Sequence, residues 1–176
     1  KNAFEFIVAS GKRSSMPHGV AGDKKLEEGD FITMDFGTVY EGYCSDLTRT
    51  VILGQPVSKQ KEIYNLVLKA QKKVIEEIKP GMTTTEADSI ARNIIEEAGY
   101  EDNYKHGTGH GLGIEVHEGP RVSYTQEEEL KPGMVITDEP GIYIPYWGGV
   151  RIEDDLLITE EGCRVLSRAP KELIVL

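Results

Sequence analysis

His106, His110 and His117 fall in the run HGTGHGLGIEVHE, His106 to Glu118, so three of the chain's four histidines crowd into one segment. Imidazoles gathered beside carboxylates are candidates for metal ligation or acid–base chemistry. Two histidines four apart can share a helix face, as in helical zinc proteases. Gly107, Gly109, Gly111 and Gly113 argue against a helix interior here, because glycine costs about 1 kcal/mol relative to alanine at such positions. In an extended run, residues two apart share a face, which predicts His106 and His110 on one side and His117 on the other. Taken alone, a run of this kind is more often a glycine-rich strand or turn than a metal site. Further ligands must come from elsewhere in the chain.

Carboxylates supply them. LEEGDFITMDFG, from Leu26 to Gly37, aligns with LKPGMVITDEPG, from Leu130 to Gly141, at a constant offset of 104, and Asp35 falls on Glu139. Equivalent acids in two half-repeats imply a pseudo-two-fold fold in which they meet between the halves. Each copy is followed by a turn and a second strand. With the first turn centred between Tyr40 and Glu41, Asp35 falls opposite Asp46; with the second centred on Tyr146, Glu139 falls opposite Glu153. Opposed residues share a face with Cβ atoms roughly 4.5–5.5 Å apart.

Like charges opposed across a ladder destabilise a sheet. One such hairpin reads as a solvated acidic ribbon. Two in register with a repeat, among apolar residues such as Ile32, Met34, Val51, Val135, Ile136, Leu156 and Ile158, read as carboxylates gathered around cations. Four carboxylates would be neutralised by two divalent ions. Adding His110 makes the set Asp35, Asp46, His110, Glu139 and Glu153, an oxygen-rich dinuclear site suited to Mn²⁺ or Co²⁺ at least as well as to Zn²⁺.

The elements that position these residues are visible in the hydrophobic spacing. Ile63, Leu66, Val67, Ala70, Val74, Ile75 and Ile78 recur at helical intervals after Ser58 and stop at Pro80–Gly81. A second helix opens with a capping box, Thr83 to Glu86, buries Ala87, Ile90, Ala91, Ile94 and Ile95, and ends at Gly99. Both read as core helices covering the sheet. They precede the second repeat, whereas the first repeat has only 25 residues ahead of it, which reads as an N-terminal truncation within the fold.

Composition bounds the reading. At 176 residues the chain forms one sizeable core and one domain, 1–176. Its net charge of −10, with no basic stripe, disfavours nucleic acid and anionic membranes as partners. No apolar run reaches the length of a membrane span and no secretory signal opens the chain. Cys44 and Cys163 are too few for a disulfide framework, and free thiols imply a reducing compartment, the cytoplasm.

These blocks resemble the pita-bread metallopeptidases, in their proline-specific branch of Xaa-Pro aminopeptidases and Xaa-Pro dipeptidases (prolidases). HGTGHGLGIEVHE resembles the branch signature almost position for position, and MDFG…YCSDLTRT, EPGIYIP and GGVRIEDD match its other blocks in order. The resemblance implies an α+β pita-bread (creatinase/aminopeptidase) fold: two pseudo-symmetric halves forming a curved, mainly antiparallel sheet covered by helices. It implies two divalent ions, with Mn²⁺ first in order. Asp46 and Glu153 would bridge them, Asp35 would hold one, and His110 with Glu139 the other. His18 and Arg151 would contact the substrate, Glu139 would serve as general base, and His117 with His106 would stabilise the oxyanion. The implied reaction is attack by a metal-activated water on the carbonyl before proline. The first expectation is an Xaa-Pro aminopeptidase, the alternative an Xaa-Pro dipeptidase, and the remoter rival a non-catalytic peptide- or protein-binding module; the full-length protein would be a homodimer. Asp138 departs from the family pattern, which has an apolar residue before the glutamate, and is expected to face away from the metals.

Overall fold

The computed structural model describes residues 1–176. Its first half is a three-stranded antiparallel sheet in which β2 (Phe31–Phe36) lies between β1 (Ile7–Ser10) and β5 (Leu47–Ile52). A small ribbon, β3 (Val39–Tyr40) and β4 (Tyr43–Cys44), closes the β2–β5 hairpin. Its turn residues Glu41 and Gly42 have φ of 49° and 89°, the left-handed pair that a two-residue hairpin turn requires.

That turn corrects the register expected for the first hairpin. It is centred one residue later than the spacing predicts, so Asp35 lies opposite Thr48 and not opposite Asp46. The slip along the ladder is two residues. Side chains alternate with a period of two, so Asp46 keeps the face it was expected to have.

Two helices connect the halves. In α1 (Ser58–Glu77), Ile63, Val67, Ala70 and Val74 are buried, and the Gln60 side chain accepts the Val57 N–H at its start. α2 (Thr84–Glu97) has the expected capping box: Thr83 and Glu86 exchange side-chain-to-backbone hydrogen bonds of 3.1 and 2.8 Å. The helix ends before Gly99, whose φ of 82° supplies the left-handed stop.

The second half is a five-stranded sheet in the order β12-β11-β8-β6-β7, built from β6 (Gly109–Gly111), β7 (Glu118–Val122), β8 (Val135–Asp138), β11 (Asp154–Ile158) and β12 (Cys163–Val165). The hairpin of β9 (Gly141–Ile144) and β10 (Gly148–Arg151) continues the β8–β11 ladder. Arg151 pairs with Gly141 and Asp154 with Asp138. Glu139 and Glu153 therefore lie between these pairs in the register the sequence predicts. Gly109 fits in β6 because a Cβ there would stand 1.9 Å from the Thr137 carbonyl.

One apolar core joins the helices to both halves: Ile63, Val67, Val74 and Ile95 pack with Ile52, Ile136, Leu156 and Ile158. Each such side chain contributes roughly 1.5–3 kcal/mol by leaving water. No helix is long and apolar enough to cross a membrane. Both cysteines are free thiols.

Candidate metal centre and substrate cavity

His110 sits on β6 with its Nδ1 3.0 Å from the Gly111 carbonyl. A carbonyl only accepts, so Nδ1 carries the proton and Nε2 presents a lone pair. That lone pair faces Glu139 Oε1 at 3.3 Å and Asp46 Oδ2 at 3.7 Å. Ligand atoms of Asp46, His110 and Glu153 lie within 4.8 Å of one another. Acceptors facing acceptors repel unless a cation or protons lie between them. Burial, then Asp35 and Glu139, push the Asp46 carboxyl up to about 9. Burial pushes Glu139 up to about 7 against the pull of Arg151, and drives Glu153 well above the carboxylate range. Burial also lowers His110 to about 4, which keeps its ring neutral. The buried Oδ1 atoms of Asp35 and Asp46 have no hydrogen-bond partner. Orphan carboxylate oxygens and an unprotonated imidazole nitrogen are the donor set a divalent cation takes, so these residues fit the group.

Asp35 lines the same cavity, but its Oδ2 is held by Arg151 Nη2 at 2.6 Å. The other Arg151 donors reach Thr48 Oγ1 (3.0 Å), the Tyr143 hydroxyl (2.8 Å) and the Pro17 carbonyl (3.0 Å). Arg151 therefore lines the cavity with its fork already engaged by protein acceptors. The carboxylates are held in turn. Thr137 Oγ1 donates to Glu139 Oε1 at 3.2 Å and accepts from the His110 N–H at 3.0 Å. The Glu139 N–H donates to the Thr108 carbonyl at 2.7 Å. Asp155 Oδ2 accepts the Asp46 N–H at 3.2 Å.

The centre forms the floor of a cavity of about 1170 Å³ whose walls include His18, His106, His117, Arg121 and Tyr124. The expectation that His117 points away from His110 is overturned: the two rings stand edge to face with centroids 4.2 Å apart. The histidine run is not one strand. It turns back after Gly111, and a register shift between His110 and Gly111 in the β6–β7 ladder brings His117 round to the same site. His106 Nδ1 lies 2.7 Å from the Gly107 carbonyl and so carries the proton, leaving Nε2 to accept from the Tyr143 hydroxyl at 3.0 Å. Burial and the nearby Arg151 lower His106 to about 4.

Asp138 faces the helix side of the sheet, as expected, and is fully buried opposite Asp154. Asp154 is satisfied by Arg49 at 2.8 Å, Lys171 at 2.7 Å and Gln71 at 2.8 Å. Neither Asp138 oxygen has a partner. Burial, then Asp154, drive its carboxyl well above the usual range, so it is held neutral.

Sequence reasoning missed a second group of residues. Asp88 and Arg92 on α2, with Tyr104 and Thr108, form a buried network behind His106. The available signal was an Asp–Arg pair four apart on a helix face otherwise made of core residues.

A model of metallopeptidase family M24 matches residues 1–160. The chain is 58% identical over 174 residues to the Xaa-Pro dipeptidase of Pyrococcus horikoshii, an alignment covering 99% of this chain and 50% of that protein. Its structure is similar to that of an Xaa-Pro dipeptidase from Bacillus anthracis, with a TM-score of 0.98 and 54% identity over 100% of this chain and 50% of that one. It is also similar to an X-Pro aminopeptidase from Thermotoga maritima, with a TM-score of 0.96 and 46% identity over 99% and 50% of the two chains. The chain thus spans about half the length of the relatives it matches.

Proposed function

This chain belongs to metallopeptidase family M24, in its proline-specific branch with the pita-bread fold, and on that premise we propose that the intact protein is a metal-dependent Xaa-Pro dipeptidase. The observation that carries the proposal is the convergence of Asp46, His110 and Glu153 on the floor of a cavity walled by the remaining histidines. Asp35, Asp46, His110, Glu139 and Glu153 would hold the ions, with Asp46 and Glu153 shared between them. Two Mn²⁺ ions suit this oxygen-rich set. When bound, the ions supply Lewis acidity and lower the pKa of water.

The protein's own groups supply the rest. Glu139, beside His110 at the floor of the cavity, is the group we assign to accept the proton of the attacking water and to pass it to the departing imide nitrogen. Thr137 and the Thr108 carbonyl hold it in place for that transfer. His106 has its N–H turned to Gly107, so stabilisation of the oxyanion falls to His117. His106 then shapes the wall with His18.

The sequence reading placed the aminopeptidase first, and the relatives favour the dipeptidase: the Xaa-Pro dipeptidases of Pyrococcus horikoshii and Bacillus anthracis stand at 58% and 54% identity, against 46% for the Thermotoga maritima aminopeptidase. A dipeptide also brings a free carboxylate that a longer peptide lacks at that position. Arg151 is engaged and Lys105 is paired with Asp102, whereas Arg121 is exposed, lines the cavity and lies opposite His110 on the β6–β7 ladder. It is placed to receive that carboxylate. The protein is read as cytoplasmic and, at full length, as a homodimer.

The test is hydrolysis by the Mn²⁺-loaded full-length protein of Ala-Pro beside Ala-Pro-Ala and Ala-Ala. Ala-Pro should be cleaved and the other two scarcely. Preferential cleavage of Ala-Pro-Ala would restore the aminopeptidase reading, and equal cleavage of Ala-Ala would remove the proline assignment.

A further inference from the structure

One guanidinium on α2 contacts two neighbouring segments that line the cavity without itself lining it. Arg92 is bound in two-pronged fashion to Asp88, with Nε 2.6 Å from Oδ2 and Nη2 3.1 Å from Oδ1. Its remaining donors reach the backbone carbonyls of Tyr104 (3.1 Å) and His106 (2.8 Å). The rings of Tyr104 and Tyr124 each lie against the guanidinium, with centroids 4.5 and 4.4 Å from its central carbon. The Tyr104 ring meets the His106 ring edge-on at 5.2 Å. Tyr124 is half exposed and also lines the cavity, on a segment adjacent to the histidine run, where Gly107 lies against Val122 and Ser123. Asp88, itself 1% exposed, receives the Thr108 N–H at 2.8 Å and hydroxyl at 2.9 Å. The Thr108 carbonyl in turn receives the Glu139 N–H.

We propose that Arg92, braced by Asp88, is a positioning residue for the reaction: it ties the His106 segment to Tyr124, so that α2 sets the shape of that side of the substrate cavity. This inference rests on the dipeptidase reading above. The chemistry singles out arginine. A planar group with five donors can grip a carboxylate and two carbonyls while stacking on aromatic rings, whereas an ammonium is a point charge that cannot do both. A purely structural ion pair between helix and sheet would need neither the two carbonyl bonds to the histidine segment nor a stack on a cavity-lining tyrosine.

The experiment compares Arg92→Lys and Asp88→Asn with the unaltered, Mn²⁺-loaded full-length protein. Steady-state kinetics on Ala-Pro, metal content and hydrogen exchange of residues 104–108 and 122–125 are measured on each. Both variants should keep their metal while kcat falls about 10–100-fold, the scale of small misplacements in a site. KM should rise several-fold for Arg92→Lys, which loses the grip on Tyr124, and less for Asp88→Asn. Exchange in both segments should quicken for Arg92→Lys. A lowered melting temperature with kcat per metal-loaded molecule and exchange unchanged would reduce Arg92 to a structural ion pair and overturn the inference. So would loss of kcat that tracks loss of metal. If the unaltered protein cleaves no Xaa-Pro substrate, the dipeptidase reading fails. Exchange then decides the positioning role alone: quickening in both segments upholds it, and no change rejects it. If Arg92→Lys does not fold, the kinetics and metal content of Asp88→Asn decide.

Discussion

The Thr48 hydroxyl donates to Glu153 Oε2 at 2.5 Å, while the Glu153 N–H donates to the Thr48 carbonyl at 3.1 Å. Two strands more than 100 residues apart are thereby locked at the level of the candidate metal centre. Thr48 also receives Arg151 Nε at 3.0 Å, so one buried hydroxyl orients both a proposed bridging ligand and the arginine that holds Asp35.

Thr48→Val keeps the shape and removes that hydroxyl. It leaves two buried polar groups short of a partner, and stability should fall by about 1–3 kcal/mol, with weaker metal retention. Thr48→Ser should restore both. Chemical denaturation and elemental analysis of the three proteins check this; full metal affinity in Thr48→Val would separate the hydroxyl from the centre.

The bridging assignment predicts that Asp46→Ala or Glu153→Ala removes both metal ions rather than one. Elemental analysis of the full-length variants is the readout. Retention of one ion per chain in either variant would limit that residue to a single metal.

Glu139→Gln should lower kcat by roughly 10²–10⁴, the usual contribution of a general acid–base group. Glu139 is also a proposed ligand, so metal content must be followed in the same samples. Near-normal turnover with metals retained would assign the proton transfer to another group.

Once its metal is removed, the protein should lose stability as pH rises from about 7 to about 9. Burial and neighbouring acids raise Asp46 to about 9 and burial raises Glu139 to about 7 in the folded chain, against about 4 for unfolded carboxyls. Above about pH 4 the unfolded state binds fewer of these two protons, so their contribution is lost as pH rises through about 7 and on to about 9. His110 and His106, lowered to about 4 from the ordinary value of about 6.5, oppose this below about pH 6.5, where they are charged only in the unfolded chain, so the net fall is read from about pH 7 to about pH 9. Divalent ions replace the missing protons. The rise in melting temperature on adding Mn²⁺ to chelator-treated protein should therefore be larger at about pH 8 than at about pH 5.5. Equal rises would contradict the crowding of carboxylates as its cause.

Asp138→Val should stabilise the protein by about 1–3 kcal/mol, because it replaces a buried carboxyl lacking partners with an apolar group of similar size. Asp138 lies on the helix side of the sheet, away from the cavity, so kcat should stay within about two-fold of the unaltered protein. Denaturant titration beside the Ala-Pro assay checks both halves of the statement.

Local patterns in the sequence determined the candidate ligands and the faces they occupy. The repeat set Asp35 against Glu139, helical spacing delimited α1 and α2, and the turn at Tyr146 placed Glu139 and Glu153 in the register observed. The misjudged turn at Glu41–Gly42 did not change the set, because a slip of two along a strand returns each side chain to the same face. Only the tertiary structure decided how His117 meets His110, since a register shift in the β6–β7 ladder breaks the strand period. Only it joined Asp88 to Thr108, Arg92 to Tyr124 and Thr48 to Glu153. A period of 2 or 3.6 reports which way a side chain points relative to its own element. Which hydroxyl, carbonyl or ring it meets depends on segments 20 to 105 residues away, and packing brings those together with no trace in local spacing.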